Sequence, residues 1–198
     1  MQPGSLVFKK LALPRQTINL CMPSPAAITP AKGHQVYWAR LWPAALAMAR
    51  FIDEQPRWVD GRHCLELGAG LGLPSFAAAR YAAGVIASDI AADSLPVMEE
   101  TRKRGAFANV SICQMDWARV DESLEADLIL LSDVNYDPSC FAPLSATLHR
   151  FLEQGKKILL ASPQRLMAKS FLQPFIPHCI HQQNEEADGQ AVSLFILA

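Results

Sequence analysis

A chain of 198 residues is long enough for one domain with a substantial core, and 51% apolar against 19% charged residues excludes an intrinsically disordered polypeptide. The formal net charge of -1 builds in no pull toward nucleic acid or an anionic membrane surface. The five cysteines are dispersed, odd in number and form no Cys-x-x-Cys pair, which argues against a disulfide framework or a zinc site and for reduced, mostly buried thiols in a cytoplasmic protein.

Residues 1–36 read as a proline-rich N-terminal arm in which Leu6 to Leu13 can form a strand. Lys9 and Lys10 are followed by no long apolar run, and Pro14, Pro23, Pro25 and Pro30 interrupt the stretch, so neither a signal peptide nor a membrane span is expected. The domain proper is expected over 37–198. Trp42-Pro43 opens a helical pattern in which Leu41, Ala45, Met48, Ala49 and Ile52 share one face, with Pro43 suited to the first turn.

From Arg62 onward, strand and helix alternate. Strands are expected at His63 to Leu67, Gly84 to Ser88, Val110 to Gln114, Asp127 to Ser132 and Lys157 to Ala161. Helices are expected at Pro74 to Tyr81, Asp93 to Arg104 and Pro138 to Glu153. Arg102-Lys103-Arg104 reads as a solvated helix end, and Gly105 and Gly155 are placed where left-handed C-terminal caps belong. The strands are continuous apolar runs, as in a parallel sheet covered on both faces, which makes this a doubly wound α/β domain. The end of the chain breaks that rhythm. His178 to Asn184 and Ala191 to Leu197 flank a turn signal at Asp188-Gly189, so a hairpin is expected and the last strand should run antiparallel.

The strongest chemical signal is Leu65-Glu-Leu-Gly-Ala-Gly-Leu-Gly-Leu73, between an expected strand and an expected helix. Its Gly68, Gly70, Gly72 spacing is not GxGxxG, which disfavours a pyrophosphate cradle, and no Gly-Lys-Ser/Thr follows to make a P-loop. Asp89, in Ala87-Ser-Asp-Ile90, closes the second strand of this unit, 23 residues after Glu66. A carboxylate there accepts both hydrogen bonds of a ribose diol, or otherwise caps a helix. Met115-Asp116-Trp117 follows the next strand; Asp116 suits an adenine amino group and Met115 or Trp117 the ring, against a reading of loop cap and core tryptophan. Ser132-Asp-Val-Asn-Tyr-Asp137 lies at a carboxyl strand end, where ligands of open α/β sheets bind, so Asp133 and Tyr136 should face them, while Asp137 before Pro138 reads as an N-cap. Gln35-Val-Tyr-Trp-Ala-Arg-Leu-Trp-Pro43 is either an aromatic lid on the sheet edge or a ligand contact. The histidines show no metal-ligand spacing, and no Gly-x-Ser-x-Gly elbow is present.

Taken together, the glycine spacing, Asp89 and the terminal hairpin point to S-adenosylmethionine as the ligand. These motifs resemble the seven-β-strand S-adenosylmethionine-dependent methyltransferases. More narrowly, Trp38-Ala-Arg-Leu-Trp-Pro43, Glu66 to Leu73, Asp89, Asp116-Trp117, Asp133-Val-Asn-Tyr136 and Ile158 to Arg165 resemble the methyltransferase-like protein-lysine methyltransferases, a group that includes the enzyme acting on the β subunit of electron transfer flavoprotein. The resemblance implies a Rossmann-like, seven-stranded, mostly parallel sheet with an antiparallel last strand and helices on both faces. It implies that Trp38, Glu66, Gly68, Ala69, Gly70, Gly72, Asp89, Ile90, Asp116, Trp117 and Ser132 bind S-adenosylmethionine, and that Asp133 and Tyr136 hold a substrate amine. A protein lysine is the implied acceptor; the charge, the lack of an apolar span and the histidine spacing give the expectation of no nucleic-acid, membrane or metal partner. Two alternatives stay open: a small-molecule N- or O-methyltransferase, and a catalytically silent binding module on the same fold.

Overall fold

The computed structural model describes residues 6–28, 37–121, 124–135, 137–164 and 168–198. The chain opens with an antiparallel hairpin, β1 (Leu6–Ala12) and β2 (Thr17–Pro23). Helix α1 (Pro43–Glu54) follows. Strand and helix then alternate through β3 (His63–Leu67), α2 (Leu73–Ala78), β4 (Gly84–Asp89), α3 (Ser94–Arg104) and β5 (Val110–Gln114). The second half runs β6 (Leu128–Ser132), α4 (Phe141–Glu153), β7 (Lys157–Pro163), α5 (Ala168–Leu172), β8 (Cys179–Ala187) and β9 (Gln190–Leu197).

Seven strands form one sheet in the order β5-β4-β3-β6-β7-β9-β8. Strands β3 to β7 are parallel, and β9 enters antiparallel between β7 and β8, as the terminal hairpin predicts. Successive strand side chains point to opposite faces. Cys64, Val85, Ala87, Leu128 and Leu130 therefore join one apolar core with α1, α2 and α3. Leu65, Ile129, Leu131, Ile158 and Leu160 join the other with α4 and α5. Both faces are covered, which is why the strands read as unbroken apolar runs. Edge strand β8 instead alternates half-buried with exposed residues, and its polar run through Gln182 to Glu186 keeps the sheet edge hydrophilic. The strands of this hairpin extend further toward the Asp188-Gly189 turn than expected, and both turn residues have positive φ, 49° and 71°.

Helix α1 departs from the one-faced pattern. Residues Ala44 to Ala49, Phe51, Ile52 and Asp53 are all buried. The helix lies against α2 and the β7, β8 and β9 end of the sheet, and its small alanines let those neighbours close in on nearly every side. The hairpin belongs to the same core: Leu11, Leu13, Ile18, Leu20 and Cys21 are buried in it. The backbone N–H of Cys21 donates to Thr101 Oγ1 of α3 at 2.8 Å.

The expected cap at Gly155 is left-handed, with φ 73°, but Gly105 is not, with φ -86°. Ala106 takes the positive φ, 52°, in its place. Gly105 serves space rather than handedness, because a Cβ there would stand 2.1 Å from the Phe107 ring. Asp137 does act as a cap, accepting from Ser139 N–H at 2.9 Å, and the helix expected from Pro138 begins as a short 3-10 turn over Pro138–Cys140. Arg102 and Lys103 pair with Glu99 and Glu100 on the solvated end of α3. All five cysteines are free; Cys21 and Cys64 are buried, the other three only half so. Among the described residues no helix is long and apolar enough to cross a membrane.

Candidate active site

Strand β3 leaves the sheet at Leu67 into a turn whose Gly68 and Gly70 have φ 67° and 57°. A Cβ on Gly68 would stand 3.1 Å from the Trp117 ring and 3.2 Å from Val134 Cγ1; one on Gly70 would stand 3.2 Å from the Trp38 carbonyl oxygen. Handedness and crowding both demand glycine here. The turn is tied back to β4, with Ala69 N–H donating to the Ser88 carbonyl at 2.8 Å and Gly70 N–H donating to Asp89 Oδ2 at 2.7 Å.

Asp89 is 7% exposed, and its Oδ1 accepts from Ala91 N–H at 2.8 Å. Burial pushes its carboxyl above the ordinary carboxylate range, while the N–H groups of Ala91 and Gly70 pull the other way. A carboxylate has about four acceptor positions, so these bonds leave room for a diol.

Asp133 follows β6 with φ 54°, a conformation that costs a non-glycine residue energy and is kept only where the surroundings enforce it. Its N–H is held by the Ala161 carbonyl at 2.9 Å. The buried Asn135 donates from Nδ2 to Ser162 Oγ at 2.9 Å, pinning the same segment to β7. Asp133 is 6% exposed.

These elements surround a cleft of about 350 Å³ outside the carboxyl ends of β3, β4 and β6, a size that suits a small-molecule ligand. Gly68, Ala69, Gly70 and Gly72 of the turn line it, as do Asp89 and Ile90 after β4. Trp117, Ser132 and Asp133 complete one wall, and Trp38 closes over Gly70.

Glu66 and Asp116 are not on that wall. Glu66 is fully buried, and its Oε2 accepts from both the N–H and the hydroxyl of Ser75 in α2, at 2.9 and 2.5 Å. Its Oε1 has no hydrogen-bond partner, and burial raises its pKa to about 8. Asp116 accepts from Ala118 N–H at 2.9 Å, capping the turn Trp117–Arg119. Tyr136 lies outside the described residues.

The aromatic stretch before α1 does face the cleft, through Tyr37, Arg40, Leu41 and Trp42 besides Trp38. Trp42 Nε1–H donates to the Tyr37 carbonyl at 2.9 Å, and the Arg40 guanidinium lies 4.8 Å from the Trp42 ring centroid. The density of Trp, Tyr and Arg between Gln35 and Pro43 is the sequence signal for this wall. Val134, Ala91 and Ala45 also line the cleft, and as ordinary apolar residues they carry no such signal.

Glycines whose backbone lies open to the cleft, a buried carboxylate with acceptor positions to spare and aromatic walls fit a charged nucleoside ligand such as S-adenosylmethionine. Comparison with known proteins agrees. The fold matches a putative RNA methyltransferase from Pyrococcus horikoshii with a TM-score of 0.63 at 13% identity, over 87% of this chain and 91% of that one. That likeness defines the methyltransferase variant of the Rossmann-like fold. Within it, the chain belongs to the lysine methyltransferase family, whose model matches residues 31–176. It is 27% identical to the human histone-arginine methyltransferase METTL23, over 75% of this chain and 84% of that one. It is 33% identical to the Danio rerio electron transfer flavoprotein beta subunit lysine methyltransferase, over 65% of this chain and half of that relative's length. The protein is an S-adenosylmethionine-dependent methyltransferase.

Proposed function

We propose that the protein methylates the side-chain amine of a lysine in a protein substrate, at the cleft beside Asp133. The observation that carries this reading is the buried Asp133, held in a strained conformation on the wall shared with the glycine turn. In this reading Gly68 to Gly72 cradle the methyl donor, Asp89 accepts from its ribose hydroxyls, and Ile90 and Trp117 flank its base. When bound, S-adenosylmethionine supplies an electrophilic methyl on a sulfonium. The protein's own contribution is alignment of the attacking amine with that methyl.

A free lysine has a pKa of about 10.4 and must lose a proton before it attacks. A neighbouring carboxylate favours the charged form. Asp133 is therefore assigned to orienting the ammonium, with the proton leaving to solvent. The family membership and the names of the lysine-directed relatives support a polypeptide acceptor, and the net charge of -1 speaks against a nucleic-acid one. Five free thiols are consistent with a cytoplasmic setting.

Asp133→Ala should lower methyl transfer by about 100-fold or more, the scale of lost alignment, while S-adenosylhomocysteine still binds in calorimetry. Radiolabelled donor and a lysate supply the substrate for the assay. Full turnover by the variant would remove Asp133 from the mechanism. The human relative's name makes arginine the second acceptor to consider, and mass spectrometry of the labelled residue separates the two.

A further inference from the structure

We infer that Arg40 binds the α-carboxylate at the methionyl end of the methyl donor. The inference rests on the cofactor reading above and extends it to a residue that neither the glycine turn nor the strand-end acids suggest.

Among the described residues Arg40 is the sole basic one on the cleft wall, which also carries the acids Asp89 and Asp133. Yet among the described residues Arg40 pairs with neither. The ion pairs seen between described residues are Arg102–Glu99 and Lys103–Glu100 on α3. Asp89 accepts instead from the N–H groups of Gly70 and Ala91. Arg40 is exposed, so solvent satisfies its guanidinium, and what matters is the charge that enters beside it: the ligand and the acceptor lysine both bring positive charge. S-adenosylmethionine carries a sulfonium and an ammonium, and Arg40 repels each. Its one anionic group is the carboxylate, and that group alone gains from an arginine.

Position and preorganisation agree with this. Arg40 follows the short turn Tyr37–Ala39, whose Trp38 carbonyl packs against Gly70, so the residue enters the cleft next to the glycine turn. Its guanidinium is spread over Trp42 at 4.8 Å, and Trp42 is itself anchored by its Nε1–H bond to the Tyr37 carbonyl. An arginine stacked on a ring keeps its edge N–H groups free for two parallel bonds to a carboxylate. A side chain already held in place loses less freedom when ligand arrives. Lysine cannot reproduce either the stacking or the fork.

The test compares two nucleosides that differ at that end. S-adenosylhomocysteine keeps the amino-acid carboxylate; 5′-methylthioadenosine lacks it. Calorimetry on wild type, Arg40→Ala, Arg40→Met and Arg40→Lys reads both affinities, with thermal melts to verify folding. The expected result is about 10- to 100-fold weaker binding of S-adenosylhomocysteine by Arg40→Ala and Arg40→Met, the scale of a lost charged hydrogen-bond pair. Arg40→Lys should recover part of it, and 5′-methylthioadenosine should bind all four proteins within about twofold, since it lacks the group that Arg40 contacts. Equal losses for both nucleosides would make Arg40 a structural support of the wall and overturn the inference. Unchanged S-adenosylhomocysteine affinity, with a raised KM for the protein substrate, would overturn it in favour of an acceptor contact. Wild-type protein that binds neither nucleoside would instead sink the cofactor reading itself.

Discussion

Glu66 stands at the head of the glycine motif, and the resemblance makes it a cofactor ligand. Its carboxyl turns the other way. It accepts two bonds from Ser75 and leaves Oε1 buried and unpartnered, which fits the neutral acid better than the carboxylate. Burial is the main cause of its raised pKa, about 8, and the Asp89 charge adds to it. The consequence for stability has a definite sign. A folded-state pKa above the unfolded one means that the folded protein holds more protons between the two values. Stability is then greatest below the unfolded pKa, about 4.3, and declines until the pH has passed the folded value. Wild type should therefore melt several degrees lower at about pH 9 than at about pH 5, and Glu66→Gln should flatten that part of the profile. An equal slope in both proteins, followed by scanning calorimetry, would show that Glu66 is ionised when folded. Local sequence could place Glu66 at the turn, because β3 and the glycines are adjacent in the chain. It could not say which way the side chain faces, because that depends on where α2 docks. Asp116 illustrates the same limit: it caps the turn through Ala118 N–H, and spacing alone does not choose between that cap and a base contact. The position of Asp89 on the cleft was legible because it needs only a strand end and the turn beside it.

At the level of elements, the N-terminal hairpin and α1 form a joint that the sequence leaves unmarked. Asp53, buried in α1, accepts from Gln16 Nε2 at 2.8 Å and from Tyr81 OH at 2.7 Å, and also from the backbone N–H of Arg15. One carboxylate thus ties the hairpin to α1 and to the segment after α2. Asp53→Ala strands these buried or half-buried donors and should lower stability by about 2–4 kcal/mol, as the loss of a buried hydrogen-bonding hub does. The exposed neighbour Glu54→Ala should stay within about 0.5 kcal/mol. Urea denaturation of both variants checks this, and similar midpoints would show that the hub is dispensable. The strands from β3 onward and helices α2 to α4 were legible, since apolar runs punctuated by glycine and proline report local preference; the short α5 was not. The hairpin's partner was not, because Cys21 meets Thr101 of α3 across a separation of eighty residues.

For the whole molecule, the cleft draws on β3, β4 and β6 and on the stretch before α1, so a ligand there clamps distant parts of the chain together. S-adenosylhomocysteine at 100 times its Kd should stabilise the fold by about 2.7 kcal/mol, a Tm rise of roughly 5–10 °C for a chain of this size. Gly68→Arg should remove the rise, since even a Cβ at that position meets Trp117 and Val134. A full thermal shift in that variant would move the ligand elsewhere. What the sequence by itself determined was the alternation of strand and helix, the antiparallel ending, the glycine turn and its acid at the next strand end. Each of these is written in short-range periodicity and in residues whose backbone demands are local. Only the tertiary structure decided that Glu66 faces α2, that α1 is buried nearly all round, and that Arg40 enters the cleft on its tryptophan platform. Those outcomes depend on which surfaces meet across the sheet, and no stretch of neighbouring residues encodes that meeting.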